Sequence, residues 1–127
     1  MATFGVTPTR LAPGRVTLEF PFRTDLIQQH GFIHAGVVTT VLDSACGYAA
    51  FTLMEANAEV LTVEFKSNFL SPAKGLTFRC EGEVIKAGRT LMVTQGRAFA
   101  VDDGVETLIS TMQATMMVVT DKAGVTR

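Results

Sequence analysis

The stretch from His34 to Met54, HAGVVTTVLDSACGYAAFTLM, holds about twenty residues and one fixed charge, that of Asp43 near its middle. As an α-helix it is roughly 30 Å long, at about 1.5 Å per residue. Apolar side chains lie on nearly every side of it, so it belongs inside something rather than on a surface. Val38, Leu42, Ala45, Ala49 and Leu53 make one apolar stripe, and Gly36, Thr40, Asp43, Gly47 and Ala50 make a second stripe of small residues. Another backbone can approach closely along that second seam. About twenty apolar residues also span a bilayer, but an Asp at mid-span costs several kcal/mol, and no Lys or Arg flanks either end. The helix is therefore buried in protein. A carboxylate placed there loses hydration unless something replaces it. Asp43 either hydrogen-bonds a neighbouring Thr or backbone group or is kept for chemistry.

Period two governs most of what surrounds this helix. Val16, Leu18, Phe20 and Phe22 alternate with polar residues and Pro21, which predicts a strand with one buried face. Pro21 cannot donate to a ladder, so the strand ends at a sheet edge or an interruption. Thr7 to Gly14, with two prolines and a glycine, reads as a loosely held lead-in, and Arg23 to Ile33 as an irregular loop that delivers the chain to the helix. After the helix, Leu61, Val63, Phe65 and Phe69 alternate with Thr62, Glu64, Lys66 and Asn68, a second amphipathic strand closed by Ser71 and Pro72. Leu76 to Ile85, Thr90 to Val101 and Val105 to Thr120 are three more, joined by Lys86-Ala87-Gly88-Arg89 and by Asp102-Asp103-Gly104 as antiparallel hairpins. The expected fold is α+β: a curled antiparallel five-stranded sheet wrapped around one long buried helix. Gly82 and Gly96 sit where bends or bulges would let the sheet curl.

Residues 1–127 read as a single domain, with 1–13 and 121–127 as loosely held ends. With 47% hydrophobic and only 18% charged residues, there is too little polar surface for a comfortable monomer. Self-association into a dimer or tetramer is expected, covering the sheet edge and the outer faces of Leu108, Met112, Met116 and Val118. A net charge of -1 gives no electrostatic footprint for nucleic acid. The N-terminus lacks a basic segment followed by an apolar run, so neither a signal peptide nor a membrane partner is expected and a cytoplasmic location is. Cys46 and Cys80 read as small buried hydrophobes rather than a disulfide. His30 and His34 are four residues apart without further ligands, so no metal site is expected.

Three segments in one order, QQHGFIHAGVVTTVLDSA, TVEFKSNFLSPAKG and VIKAGRTLMV, resemble the hotdog-fold acyl-CoA thioesterases of the phenylacetate-pathway (PaaI-like) type over roughly residues 14–120. The most specific part is a His-Gly-Gly triplet with an acidic residue nine positions after the His, matched by His34-Ala35-Gly36 and Asp43. The resemblance implies hydrolysis of acyl-CoA thioesters to free acid and CoA, with Asp43 as nucleophile or general base. It implies that Gln28 holds the water or nucleophile, and that His34 supports the loop. Ala35, where the family usually has Gly, offers the helix N-terminal N–H to the oxyanion, and Thr62 is a hydroxyl associated with the site. It further implies that Asp43 and Gln28 of one working site come from different subunits.

Each of these residues also has a plain structural reading: Gln28 as a solvated loop residue, His34 as a helix cap, Thr62 as a strand former. Substrate binding is expected from Gly36, from Phe32, Tyr48, Phe51 and Phe69 around an apolar acyl group, and from Gly88 and Arg89 at the nucleotide phosphates. Lys66, Lys74, Arg79 and Lys86 are other cations available to those phosphates. No cofactor is implied beyond the coenzyme A of the substrate. Two alternatives stay open: a non-catalytic acyl-CoA-binding or regulatory module, and a hotdog enoyl-CoA hydratase or dehydratase with His34 as its proton carrier.

Overall fold

The computed structural model describes residues 4–27 and 31–120. Six strands and one helix follow in the order β1 (Thr7–Ala12), β2 (Arg15–Pro21), α1 (Ala35–Phe51), β3 (Glu59–Phe69), β4 (Thr77–Ala87), β5 (Leu91–Asp102) and β6 (Val105–Val119). All pair antiparallel in one sheet ordered β1-β2-β4-β5-β6-β3, which leaves β1 and β3 as its edges. The helix lies on the inner face over β4, with β2 and β5 beside it.

The five expected strands are present, and the lead-in is a sixth. Thr7–Ala12 pairs with β2 through the turn at Pro13-Gly14, where Gly14 has φ +75°. Its residues are exposed on both faces except Ala12, so it carries no alternation to read. The helix ends at Phe51 rather than Met54; Leu53 and Met54 continue in single turns that donate to Ala50 and Phe51 carbonyls.

Alternation sets the core. Val16, Leu18 and Phe20 from β2, Phe78 and Cys80 from β4, and the even-numbered residues from Met92 to Ala100 on β5 face the buried stripe of α1. Phe20 and Phe78 stack with ring centroids 5.1 Å apart. On β6, Met112, Ala114 and Met116 also point inward, which corrects the expectation that Met112 and Met116 form an outer apolar face. Gly82 and Gly96 face each other across β4 and β5. Their role is close approach rather than bending: a Cβ on Gly82 would lie 2.4 Å from the Ala45 carbonyl, and one on Gly96 2.8 Å from Leu42 Cδ1. The pair forms a bed in which the helix rests directly on the strands. At the β5–β6 hairpin, Asp103 (φ 51°) and Gly104 (φ 79°) supply the two left-handed residues of a tight turn, as the Asp-Gly pair predicts.

Edge strand β3 departs most from its pattern. Thr62 pairs with Met116 and Glu64 with Thr115, so Val63 is the extra residue of a bulge. The bulge shifts the alternation by one: Leu61 faces outward beside Met117, whereas Thr62, Phe65 and Phe69 share the inner face with Met116, Ala114 and Ser110. The helix touches this strand less closely than it does β4, β2 and β5, and Leu61, Val63, Phe65 and Phe69 are 45%, 54%, 46% and 56% exposed.

Candidate active site

The site is built around the N-terminal half of α1. His34 precedes the helix with extended geometry and makes no side-chain cap. Its backbone does the work instead: its N–H donates to the Leu26 carbonyl at 3.0 Å, and its carbonyl accepts from Val37. These main-chain bonds tie His34 to the preceding loop, while its side chain is exposed. The first N–H groups of a helix have no partner within it. Among the described residues, none accepts from Ala35 or Gly36. These two dipole-backed donors are thus available to a developing negative charge. A Cβ on Gly36 or Gly47 would meet nothing within 4 Å, so the small-residue seam is open at these two positions and closes at the fully buried Ala50.

Asp43 sits half-buried on that seam, and Thr62 Oγ1 donates to its Oδ1 at 2.9 Å. The hydroxyl also lies 3.3 Å from Met116 Sδ, but with one proton to give, the carboxylate is the stronger acceptor. This pair depends on the bulge at Val63, without which Thr62 would face the other way. One turn further along the helix, Cys46 is fully buried. Burial pushes its thiol up to about 11, a hydrogen bond with Thr94 pulls the other way, and the charge of Asp43 adds to the rise. Cys80 is pushed up to about 12, again by burial first. Both thiols are free and stay protonated near neutrality, so neither serves as a nucleophile.

A cavity of about 450 Å³ opens beside the helix N-terminus. Ala35 and Val38 form one wall, Phe32 and Ile33 a second, Phe69 to Ala73 a third, and Ile109 and Ser110 the floor. Of the residues expected to bind substrate, Phe32 and Phe69 are brought here with Ala35. Tyr48 is not; thirteen residues along the helix, it lines a separate apolar groove with Val6, Pro8, Leu11 and Leu18, and neither it nor Phe51 lines the cavity. Gly88 and exposed Arg89 lie in the β4–β5 turn, where the Gly88 N–H donates to the Leu91 carbonyl. Arg79 is unsuited to phosphate: it pairs with Glu81 and Glu106 at 2.9 and 2.5 Å and stacks 4.6 Å from the Phe99 ring centre. Gln28 lies outside the described residues. Ile109 and Ser110 are cavity residues that sequence reasoning missed, because the β6 bulge that turns both inward leaves no mark on the alternation.

No helix among the described residues is long and apolar enough to cross a membrane, and no group of three or more His, Cys, Asp or Glu among them is placed to hold a metal ion.

A single helix bedded in a curled antiparallel sheet, with a carboxylate on its open seam and its N-terminus over an apolar cavity, defines a hotdog-type thioesterase fold. Residues 30–107, more than half of the chain, match the Thioesterase superfamily model, and the chain belongs to that family. A crystal structure of a thioesterase family protein from Silicibacter pomeroyi is 58% identical and superposes with a TM-score of 0.94, over 95% of this chain and 89% of that one. A phenylacetic acid degradation-related protein from Ralstonia eutropha shares the fold at 21% identity, with a TM-score of 0.81 over 91% and 86% of the two chains. A candidate esterase of Saccharolobus solfataricus is 37% identical over 95 residues, 75% of this chain and 63% of that protein. A second from the same organism is 34% identical over 85 residues, 67% of this chain and 60% of its own length. The chain thus spans about three-fifths of these two relatives.

Proposed function

We propose that the protein hydrolyses acyl-CoA thioesters to a free acid and CoA, with Asp43 as nucleophile or general base. The observation that carries this reading is the Asp43–Thr62 pair: a carboxylate oriented by one hydroxyl on an otherwise open face of the helix whose N-terminus borders an apolar cavity. In one form of the reaction Asp43 attacks the thioester carbonyl, the C–S bond breaks, and water hydrolyses the resulting anhydride. In the other, Asp43 takes a proton from water as its oxygen forms the new C–O bond, and the CoA thiolate leaves and is protonated. In both, the Ala35 N–H receives the charge that grows on the carbonyl oxygen. Neither form requires a cofactor beyond the CoA of the substrate. The free thiols of Cys46 and Cys80 support a reducing, cytoplasmic setting.

The working unit in this reading is a homodimer or a dimer of dimers. The edge and inner face of β3 and the open seam of Gly36 and Gly47 are surfaces a second copy can cover, and Gln28 would then come from the other subunit. A thiol-release assay over a panel of acyl-CoAs, with and without Asp43→Asn, tests the proposal. Wild-type turnover that falls by ~10³-fold in a folded, equally assembled Asp43→Asn protein supports it. Binding without turnover in the wild type would leave an acyl-CoA-binding module, and turnover preserved in the variant would make Asp43 structural.

A further inference from the structure

The Thr62 hydroxyl that donates to Asp43 at 2.9 Å has a second acceptor in reach, because Met116 Sδ lies 3.3 Å from the same oxygen. The register of the sheet puts it there. Thr62 and Met116 are direct cross-strand partners, the last pair before the Val63 bulge, and Met92 flanks Met116 on its other side. Met116 is fully buried, whereas Asp43 is half-buried on the helix and Thr62 is exposed. The sulfur therefore meets the hydroxyl from within the core and the carboxylate meets it from the helix. Met92 and Met112 are also core methionines, but among the described residues neither sulfur has a hydrogen-bond partner. A leucine could fill the volume of Met116 and would offer the hydroxyl nothing.

We infer that Met116 is a positioning residue that acts through Thr62: its sulfur holds the Thr62 hydroxyl beside Asp43 and takes the hydroxyl proton during turnover, when the carboxylate loses its charge. This rests on the reading of Asp43 as nucleophile or general base. While Asp43 is ionised it is the stronger acceptor and keeps the proton. In either form of the reaction it then becomes neutral, as the acyl anhydride or as the protonated acid. A hydrogen bond that persisted at full strength would favour the charged form that the reaction has to consume, and so would hold back the step. With the sulfur at hydrogen-bond distance, the proton passes from Oδ1 to Sδ by rotation about the Thr62 C–O bond, and no heavy atom has to move. A thioether suits this role because it is a weak acceptor. It cannot draw the proton from a carboxylate, but it can keep the hydroxyl partnered once the charge has gone.

A double-mutant cycle separates this role from packing. With the acyl-CoA of the panel that the wild type turns over fastest, kcat and KM are measured in Met116→Leu, in Thr62→Val, in the double variant, and in Met112→Leu as a control for the core. Met116→Leu should lower kcat about threefold with KM unchanged, Met112→Leu should not, and Met116→Leu should cost nothing more once Thr62 is Val. An unchanged kcat in Met116→Leu overturns the assignment. So does an equal loss with and without the hydroxyl, or an equal loss in Met112→Leu, since either means that only packing has changed. A second readout needs neither turnover nor a substitution at Met116, and it decides the matter where Met116→Leu fails to fold. In protein carrying methyl-labelled methionine, the Met116 methyl resonance should shift on Asp43→Asn, because the Thr62 proton then turns to the sulfur. That shift should vanish when Thr62 is also Val. No shift, or a shift that survives Thr62→Val, overturns the assignment. If no acyl-CoA is turned over, hydrolysis fails, and the resonance alone upholds or overturns the sharing of the Thr62 proton between Asp43 and Met116.

Discussion

Replacing Gly82 by Ala tests whether the contact between helix and sheet both holds the fold and places the Asp43 carboxylate, the group proposed to be catalytic. The added Cβ would lie 2.4 Å from the carbonyl carbon and oxygen of Ala45 and 2.6 Å from the Cys46 nitrogen. These are backbone atoms in a helix, so no rotamer change relieves the clash. The helix has to rise by about 1 Å to restore ordinary contact near 3.4 Å. A gap of about 0.5–1 Å forfeits a quarter to a half of the dispersion between the surfaces it separates. Val38, Val41, Leu42, Ala45, Cys46 and Ala49 are all at most 2% exposed along this face. Losing about a quarter of their burial comes to ~3 kcal/mol, the upper end for overpacking and a large share of a domain's net stability. Asp43 rides on the same helix, two residues before Ala45. The shift therefore stretches its 2.9 Å bond from Thr62, and a 1 Å misplacement of a catalytic group can cost ~10²-fold in kcat. Gly96→Ala is the control, since its Cβ meets the ends of Leu42 and Cys46, groups that can turn aside for ~1–2 kcal/mol. Urea unfolding followed by circular dichroism at one fixed protein concentration, with kcat measured on the folded fraction, gives both numbers. Gly82→Ala within ~1 kcal/mol of wild type, or less harmful than Gly96→Ala, would refute the reasoning.

Thr62→Val removes the donor to Asp43 and should lower kcat by ~10-fold with little change in KM, and Thr62→Ser should recover most of it; an unchanged kcat would show that the hydroxyl does not orient the carboxylate. Folding raises the Cys46 thiol from 9.0 to about 11, so between those pH values the folded state holds a proton that the unfolded chain has released. Stability present at pH 8 is therefore lost as pH rises through that window, by up to ~3 kcal/mol from this group, and the loss should be shallower in a Cys46→Ala/Cys80→Ala protein. Gly47→Ala gains up to ~1 kcal/mol of helix propensity in an isolated chain. In the proposed dimer its methyl meets the other copy, and light scattering should show weaker association. Mixed dimers of Asp43→Ala and Gln28→Ala chains should recover roughly half the wild-type activity if the site is shared between subunits, and none if it is not.

The helix, the core strands and the Asp-Gly hairpin were legible because each carries its own period or turn chemistry within a few residues. What the sequence hid came from two sources. One is exposure on both faces: Thr7–Ala12 is a strand held by pairing alone, and pairing leaves no alternation. The other is the single-residue bulge, at Val63 and at Ile109. Read straight through, the alternation on β3 puts Thr62 with Glu64 and Lys66 on the face opposite Phe65, and nothing but the register against β6 reveals that Thr62 and Phe65 share a face. Glycine misled in its own way. Gly82 and Gly96 were conspicuous inside their strands, but a pattern cannot distinguish a bend from a place where another backbone rests.

The bulges also bear on why the site lies where it does. With α1 packed most closely on β4, β2 and β5, its contact with the sheet thins toward β6 and the edge strand β3, whose inner side carries Thr62, Phe65 and Phe69. Leu61, Val63, Phe65 and Phe69, half exposed beside an unpaired strand edge, form the kind of surface that is usually covered. In the proposed dimer, the same β3 of a second copy, turned about a two-fold axis, would present both an edge able to pair with β3 and an apolar surface beside it. In that arrangement the Asp43 seam becomes a groove wall rather than an open face. A thioester there would be shielded from water on the side where the carbonyl must be attacked, and its acyl group could enter the cavity floored by Ile109 and Ser110. This supports reading β3 as a strand that serves the site first and the monomer second, since its bulge places the hydroxyl on Asp43 while its exposed face adds little to the core of a single chain.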